Sequence, residues 1–117
     1  MKKIIIIGGS RGIGKAIVHA LLPSHQIINI SRSVPEYSHA NLSHHSCDVT
    51  TGDLPQIDEA DGLIYCPGSI NLKPFKRLSL GDFRTDFEIN VMGAVKAIQT
   101  YTPCLLYTSP SPRDGQI

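Results

Sequence analysis

The stretch Lys3 to Gly14, reading KIIIIGGSRGIG, constrains this chain more than any other. Its isoleucines form a short β-branched run, the pattern of a strand covered on both faces of a parallel sheet. Gly8 and Gly9 end that run. Beyond them Ile13, Ala16, Ile17, Ala20 and Leu21 recur at three- and four-residue steps, which predicts one apolar helical face, and Pro23 stops the helix. Strand, glycine turn and helix in immediate succession open a βαβ unit.

The glycines can be read in two frames. From Gly9 the text is G-x-x-x-x-G-K-A, a triphosphate loop in which Ala16 stands where a hydroxyl must hold magnesium. From Gly8 it is G-x-x-x-G-x-G, a dinucleotide turn. That turn needs tight glycines after a strand, close backbone approach to a pyrophosphate and a helix N-terminus aimed at the charge. Gly8, Gly12 and Gly14 stand where those demands fall. The dinucleotide frame is preferred, with a triphosphate-binding phosphotransferase as the alternative.

A chain of 117 residues holds one domain or a piece of one, and 41% hydrophobic with 18% charged residues is an ordinary globular balance. The formal charge of +1 gives no reason to expect nucleic acid or an anionic membrane as partner. Four apolar residues after Lys2 and Lys3 are too few for a signal peptide or a membrane span. Cys47, Cys66 and Cys104 show no C-x-x-C pairing, so a reducing cytoplasm is expected, with neither a disulfide framework nor a zinc knuckle. His39, His44 and His45 lack partners at metal-ligand spacing and read as exposed; no metal site is expected.

Further strands are expected at Gln26–Ile30, in a short segment ending near Cys47-Asp48-Val49, and at Gly62–Cys66. Val34 to Ser46 reads as a polar loop, and Leu54 to Asp61 as room for one helical turn. Ser79–Glu88 and Ile89–Thr102 read as helices. Strands alternating with helices imply a parallel α/β sheet.

The stretch IIGGSRGIGKAI resembles the cofactor loop of the short-chain dehydrogenase/reductase family, including its 3-oxoacyl-carrier-protein reductase group. Cys47-Asp48-Val49 is similar to the family's D-V at the end of strand three, where the carboxylate lies beside the adenine amino group. Gly62 to Gly68 occupies the place of strand four and the N-N-A-G motif. Phe87 to Gly93 resembles the stretch carrying the family's active-site asparagine, here Asn90. The resemblance covers about residues 1–103. It implies a Rossmann-like doubly wound parallel sheet, cut to its first four strands in order 3-2-1-4.

It also implies an oxidoreductase moving hydride between a nicotinamide cofactor and a small carbonyl or alcohol substrate, in a full-length parent that is a homodimer or homotetramer. A non-catalytic relative that only binds NADP is the alternative. The cofactor-binding candidates are Gly8, Ser10, Arg11, Gly12, Ile13, Gly14, Arg32, Asp48, Val49, Cys66, Pro67 and Gly68; the catalytic-site candidate is Asn90, whose amide could equally satisfy local backbone. One departure stands out: Tyr65-Cys66 replaces two asparagines that tie neighbouring strands together and position the nicotinamide ribose.

An NAD-selective site carries an acid at the end of strand two to accept from the ribose 2′-hydroxyl. Here that place reads Ser31-Arg32-Ser33, with no acid until Glu36. A guanidinium pairs with a 2′-phosphate where a carboxylate repels it, and Arg11 in the glycine loop is a second such cation. NADP(H) is therefore expected in preference to NAD(H).

The family's general acid/base is a Tyr in Y-x-x-x-K, aided by a Ser. Tyr37, Tyr65, Tyr101 and Tyr107 are followed four positions on by Asn41, Ser69, Leu105 and Ser111, never by lysine. The 117-residue chain is expected to be catalytically silent. Its last part, CLLYTSPSPRD, loses helical periodicity and resembles a translated transposase-type sequencing adapter. Residues 1–103 are thus expected to be the native cofactor-binding part and 104–117 a non-native tail, the alternative being a genuine proline-rich tail. Strand four would then present an unpaired edge, and poor solubility is expected.

Overall fold

A computed structural model describes residues 1–69 and 71–105. The elements run β1 (Lys2–Ile7), α1 (Gly12–Leu21), β2 (His25–Ser31), β3 (Leu42–Ser46), β4 (Gly62–Tyr65), α2 (Leu80–Phe87) and α3 (Gly93–Tyr101). The four strands form one parallel sheet in the order β3-β2-β1-β4, the expected Rossmann-like doubly wound arrangement. Its register sets Ile4 opposite both Ile27 and Gly62, and Ile7 opposite both Ile30 and Tyr65.

The isoleucine run is explained by its central position. Ile6 packs with Ile27, Val18 and Leu22 on the α1 side, while Ile5, Ile7 and Ile30 pack with Ala97 and Tyr101 on the α3 side. Alternate residues of one strand therefore serve two separate cores, and neither face tolerates a polar side chain without a partner.

Four expectations are corrected. The inward face of α1 is Gly14, Val18 and Leu22 with Ile17 and Leu21 beside it, whereas Ile13, Ala16 and Ala20 are exposed. The short strand expected to end near Cys47-Asp48-Val49 lies slightly earlier, as β3, inside the stretch read as a polar loop. As the outer strand it exposes Ser43, His45 and Ser46, so it needs no apolar alternation. Leu54 to Asp61 forms no helical turn. It runs irregularly beneath α3, where the Pro55 carbonyl accepts a 2.8 Å hydrogen bond from the buried Tyr101 hydroxyl.

The fourth correction concerns the two expected helices. They are one continuous helical run, in which α2 and α3 are joined by a π-turn over Glu88–Met92. The Gly93 N–H reaches the Glu88 carbonyl, five residues back. After α3 the backbone comes alongside the start of β4: the Ala60 N–H donates to the Cys104 carbonyl at 3.0 Å, and Leu105 makes a parallel bridge with Ala60. Residues 106–117, most of the stretch read as a foreign tail, lie outside the described residues.

Candidate functional site

The carboxyl ends of β1, β2 and β4 open onto a cleft of about 320 Å³, at the lower end of volumes that hold small ligands. Of the sequence-derived candidates, Gly8, Ser10, Arg11, Arg32, Asp48, Val49, Cys66, Pro67 and Gly68 line it. Gly12, Ile13, Gly14 and Asn90 do not. Ile13 is 78% exposed at the start of α1, where its backbone rather than its side chain can serve the cleft.

The glycine turn is built by two backbone demands. Gly8 has φ +85° and Gly12 φ +60°, conformations that side-chain-bearing residues rarely adopt. Gly14 answers a different need: a Cβ there would run into the Gly8 carbonyl. The turn is thus folded tightly back onto its own helix. The Gly8 N–H remains in the sheet, donating to the Ile30 carbonyl at 2.8 Å.

The two helix starts differ in a telling way. Helix α2 is closed by a capping box, in which the Ser79 hydroxyl accepts from the Asp82 N–H while the Asp82 carboxylate accepts from the Ser79 N–H. Helix α1 has neither device. Arg11 at its N-cap makes no side-chain cap, and its first turn carries no acid. Its leading N–H groups and positive dipole end therefore have no side-chain cap, an arrangement that suits an anion. The Lys15 ammonium lies 5.8 Å from the centroid of the Tyr37 ring and does not line the cleft, as a triphosphate loop would require.

Charge around the cleft is one-sided at the end of β2. Among the described residues neither Arg11 nor Arg32 makes an ion pair; the pair found joins Lys73 to Asp82 elsewhere. Asp48 folds back on its own turn, its Oδ1 accepting from the Thr50 N–H at 2.9 Å and the Thr50 hydroxyl at 2.6 Å. These two bonds, helped by Arg32 and Lys96, hold its carboxyl below the usual carboxylate range. Lys96 reaches from α3 to the Val49 carbonyl at 3.2 Å and also to the Gly52 carbonyl, pinning the turn that carries Asp48 and Val49.

The opposite wall is set by the π-turn. Asn90 spends its whole amide on Ser69, accepting from its N–H and donating to its carbonyl, both at 2.9 Å. The Ser69 hydroxyl donates to Asp86 at 2.5 Å. Tyr65, which replaces the first family asparagine, donates from its hydroxyl to the Ile89 carbonyl at 2.6 Å. The strand-to-helix tie is therefore made by a phenol inside the widened turn.

Sequence reasoning missed Ser31, Ser33, Thr50 and Ser69, which also line the cleft. It also missed Asn29, fully buried behind the turn. A lone polar residue within the strand Ile27-Ile28-Asn29-Ile30 was the available signal. Among the described residues no group of three or more His, Cys, Asp or Glu could hold a metal ion. No described helix is long and apolar enough to cross a membrane.

A parallel sheet in this order, with a glycine turn at the end of its first strand, defines a Rossmann-like α/β protein. The family model for short chain dehydrogenases matches residues 2–117, and the chain belongs to that family. No curated protein matches. A short chain dehydrogenase family protein from Francisella tularensis superposes with a TM-score of 0.76 at 23% identity, over 90% of this chain and 47% of that one. A short chain dehydrogenase from Leptospira borgpetersenii, solved with bound NAD+, gives 0.74 at 21% over 85% and 44%. The aldohexose dehydrogenase of Thermoplasma acidophilum gives 0.75 at 22% over 89% and 44%. The chain thus spans about half the length of these solved structures.

Proposed function

We propose that this chain is the N-terminal cofactor-binding part of an NADP(H)-dependent oxidoreductase acting on a small carbonyl or alcohol substrate. The observation that carries the reading is the uncapped start of α1 behind a glycine turn that lines a cleft. Ser10, Gly12, Ile13 and Gly14 bring main-chain N–H groups to the pyrophosphate, and Gly8, whose own N–H is held by Ile30, supplies the positive-φ bend that aims them. Arg11 and Arg32 take the 2′-phosphate, and Asp48 with Val49 borders the adenine. Cys66, Pro67 and Gly68 flank the nicotinamide ribose. The bound cofactor supplies or accepts the hydride through its nicotinamide ring. Asn90 acts by holding the loop after β4 in position through Ser69.

The 117-residue chain contains no Y-x-x-x-K, so we hold it to be catalytically silent by itself. The division between residues 1–103 and a non-native 104–117 is likewise a proposal, and the family match running through residue 117 makes the source nucleotides its test. Codons differing from the adapter remove it. A cytoplasmic location and a dimeric or tetrameric parent complete the reading. The exposed Phe83, Phe87 and Ile98 along α2 and α3 support self-association.

Titration of the purified chain with NADP+ and NAD+ tests the cofactor assignment. NADP+ binds more tightly, and Arg32→Asp weakens it by about tenfold to a hundredfold, the worth of a charge-assisted hydrogen bond. Equal affinity for both dinucleotides, or no loss in the variant, contradicts the assignment.

A further inference from the structure

We infer that Asn29 is a positioning residue for the glycine turn, and that through it the turn answers to the protonation of His44. The donor and acceptor roles are forced. The Gly9 N–H can only donate, so the atom 2.8 Å away is the Asn29 carbonyl oxygen, and the amide nitrogen points the other way. That nitrogen has two hydrogens and two acceptors, each at 3.0 Å: the Ser31 hydroxyl oxygen and His44 Nδ1. The Ser31 hydroxyl passes its own hydrogen to the Ser33 carbonyl at 2.7 Å.

His44 Nδ1 must therefore carry a lone pair. The ring proton sits on Nε2 and is donated to the Ser46 hydroxyl oxygen at 2.9 Å. A second proton on the ring would set an N–H against the N–H of Asn29. Asn29 is fully buried and has no solvent to replace the lost acceptor, so the change reaches the Gly9 N–H through its amide. Gly9 lies between the residues that form the turn, and a Cβ on it would stand 2.6 Å from the Asn29 oxygen, so no slack exists behind it. Its carbonyl is held separately, accepting from the Tyr37 hydroxyl at 2.7 Å.

The charged and titratable groups around His44 are few. On β3, His45 follows it and faces the opposite side of the sheet. On β2 its register partner is the uncharged Asn29. From the α1 side come Lys15 and His19, both against the Tyr37 ring, and Tyr37 itself. Partial burial and His45 both push the His44 titration below the ordinary histidine range. The consequence for cofactor affinity rests on the function proposed above; the coupling between His44 and Gly9 does not.

The test follows the backbone amide of Gly9 and the ring nitrogens of His44 by NMR in the 117-residue chain, between roughly pH 8 and pH 5. The Gly9 resonance moves with the same midpoint as His44, and neutral His44 shows the Nε2–H tautomer. In His44→Gln, an edge-strand change that keeps an acceptor, the Gly9 transition disappears. In Asn29→Leu, His44 still titrates but Gly9 no longer follows it. A Gly9 resonance that stays flat through the His44 transition, or a neutral Nδ1–H tautomer, overturns the inference. NADP+ affinity, measured in parallel, falls about fivefold to tenfold across the same midpoint in the parent chain and not in His44→Gln. A chain that shows the coupling but binds no dinucleotide at any pH keeps this inference and loses the proposed function.

Discussion

Single residues at this site are chosen for backbone geometry and for hydrogen bonds, seldom for bulk. Gly14 exists because the Gly8 carbonyl occupies the space a methyl group would need. Asp48 spends one oxygen on Thr50, which costs acid resistance in a predictable direction. Its carboxyl is held below its unfolded value, so the bond's stabilisation is fully present above about pH 4 and is lost as pH falls through the lower folded value. Thr50→Val keeps the backbone bond and removes the 2.6 Å hydroxyl bond. Its acid unfolding transition, followed by circular dichroism, therefore shifts to higher pH. An unchanged transition means that Asp48 does not contribute through Thr50.

Among the elements, the π-turn between α2 and α3 joins the fold to the cleft. It widens the helix where Tyr65 enters from β4 and where Asn90 leaves to clamp Ser69. Tyr65→Phe removes one hydrogen bond and lowers stability by about 1 kcal/mol, while Asn90→Ala removes two and costs about 1–3 kcal/mol. Urea unfolding measures both, and equal small losses contradict this account of the turn. The turn itself was illegible in the sequence, because an inserted residue leaves no apolar period of its own. The outer strand β3 was expected, but its bounds were not legible, for a different reason: with one side open to solvent, His44, His45 and Ser46 need not alternate. By contrast β1, squeezed between two cores, had to be written in isoleucine, and the glycine turn had to be written in glycine. What physical constraint fixed tightly could be read. Asn29 and His44 were present in the text, but their partnership depends on the β2–β3 register, which short polar strands do not announce.

The whole molecule is one sheet covered by a core on each face, with β3 and β4 at its two edges. Strand β4 has β1 as its partner, and just before β4 Ala60 makes a single parallel bridge with Leu105. Phe83, Phe87, Val91, Val95 and Ile98 are exposed along the helical run from α2 to α3, and the proposed self-association would cover them. Sedimentation of the chain shows species larger than a monomer, and Phe87→Glu with Ile98→Glu shifts it toward the monomer. A monomeric parent chain contradicts that expectation. The central claim is that the turn after β1 receives a dinucleotide's pyrophosphate on bare main-chain N–H groups. Amide chemical shifts of the 117-residue chain, recorded as NADP+ is added, test it most directly. The account predicts saturable changes greatest at Ser10, Gly12, Ile13 and Gly14; binding that leaves those amides unmoved, or no binding, contradicts it.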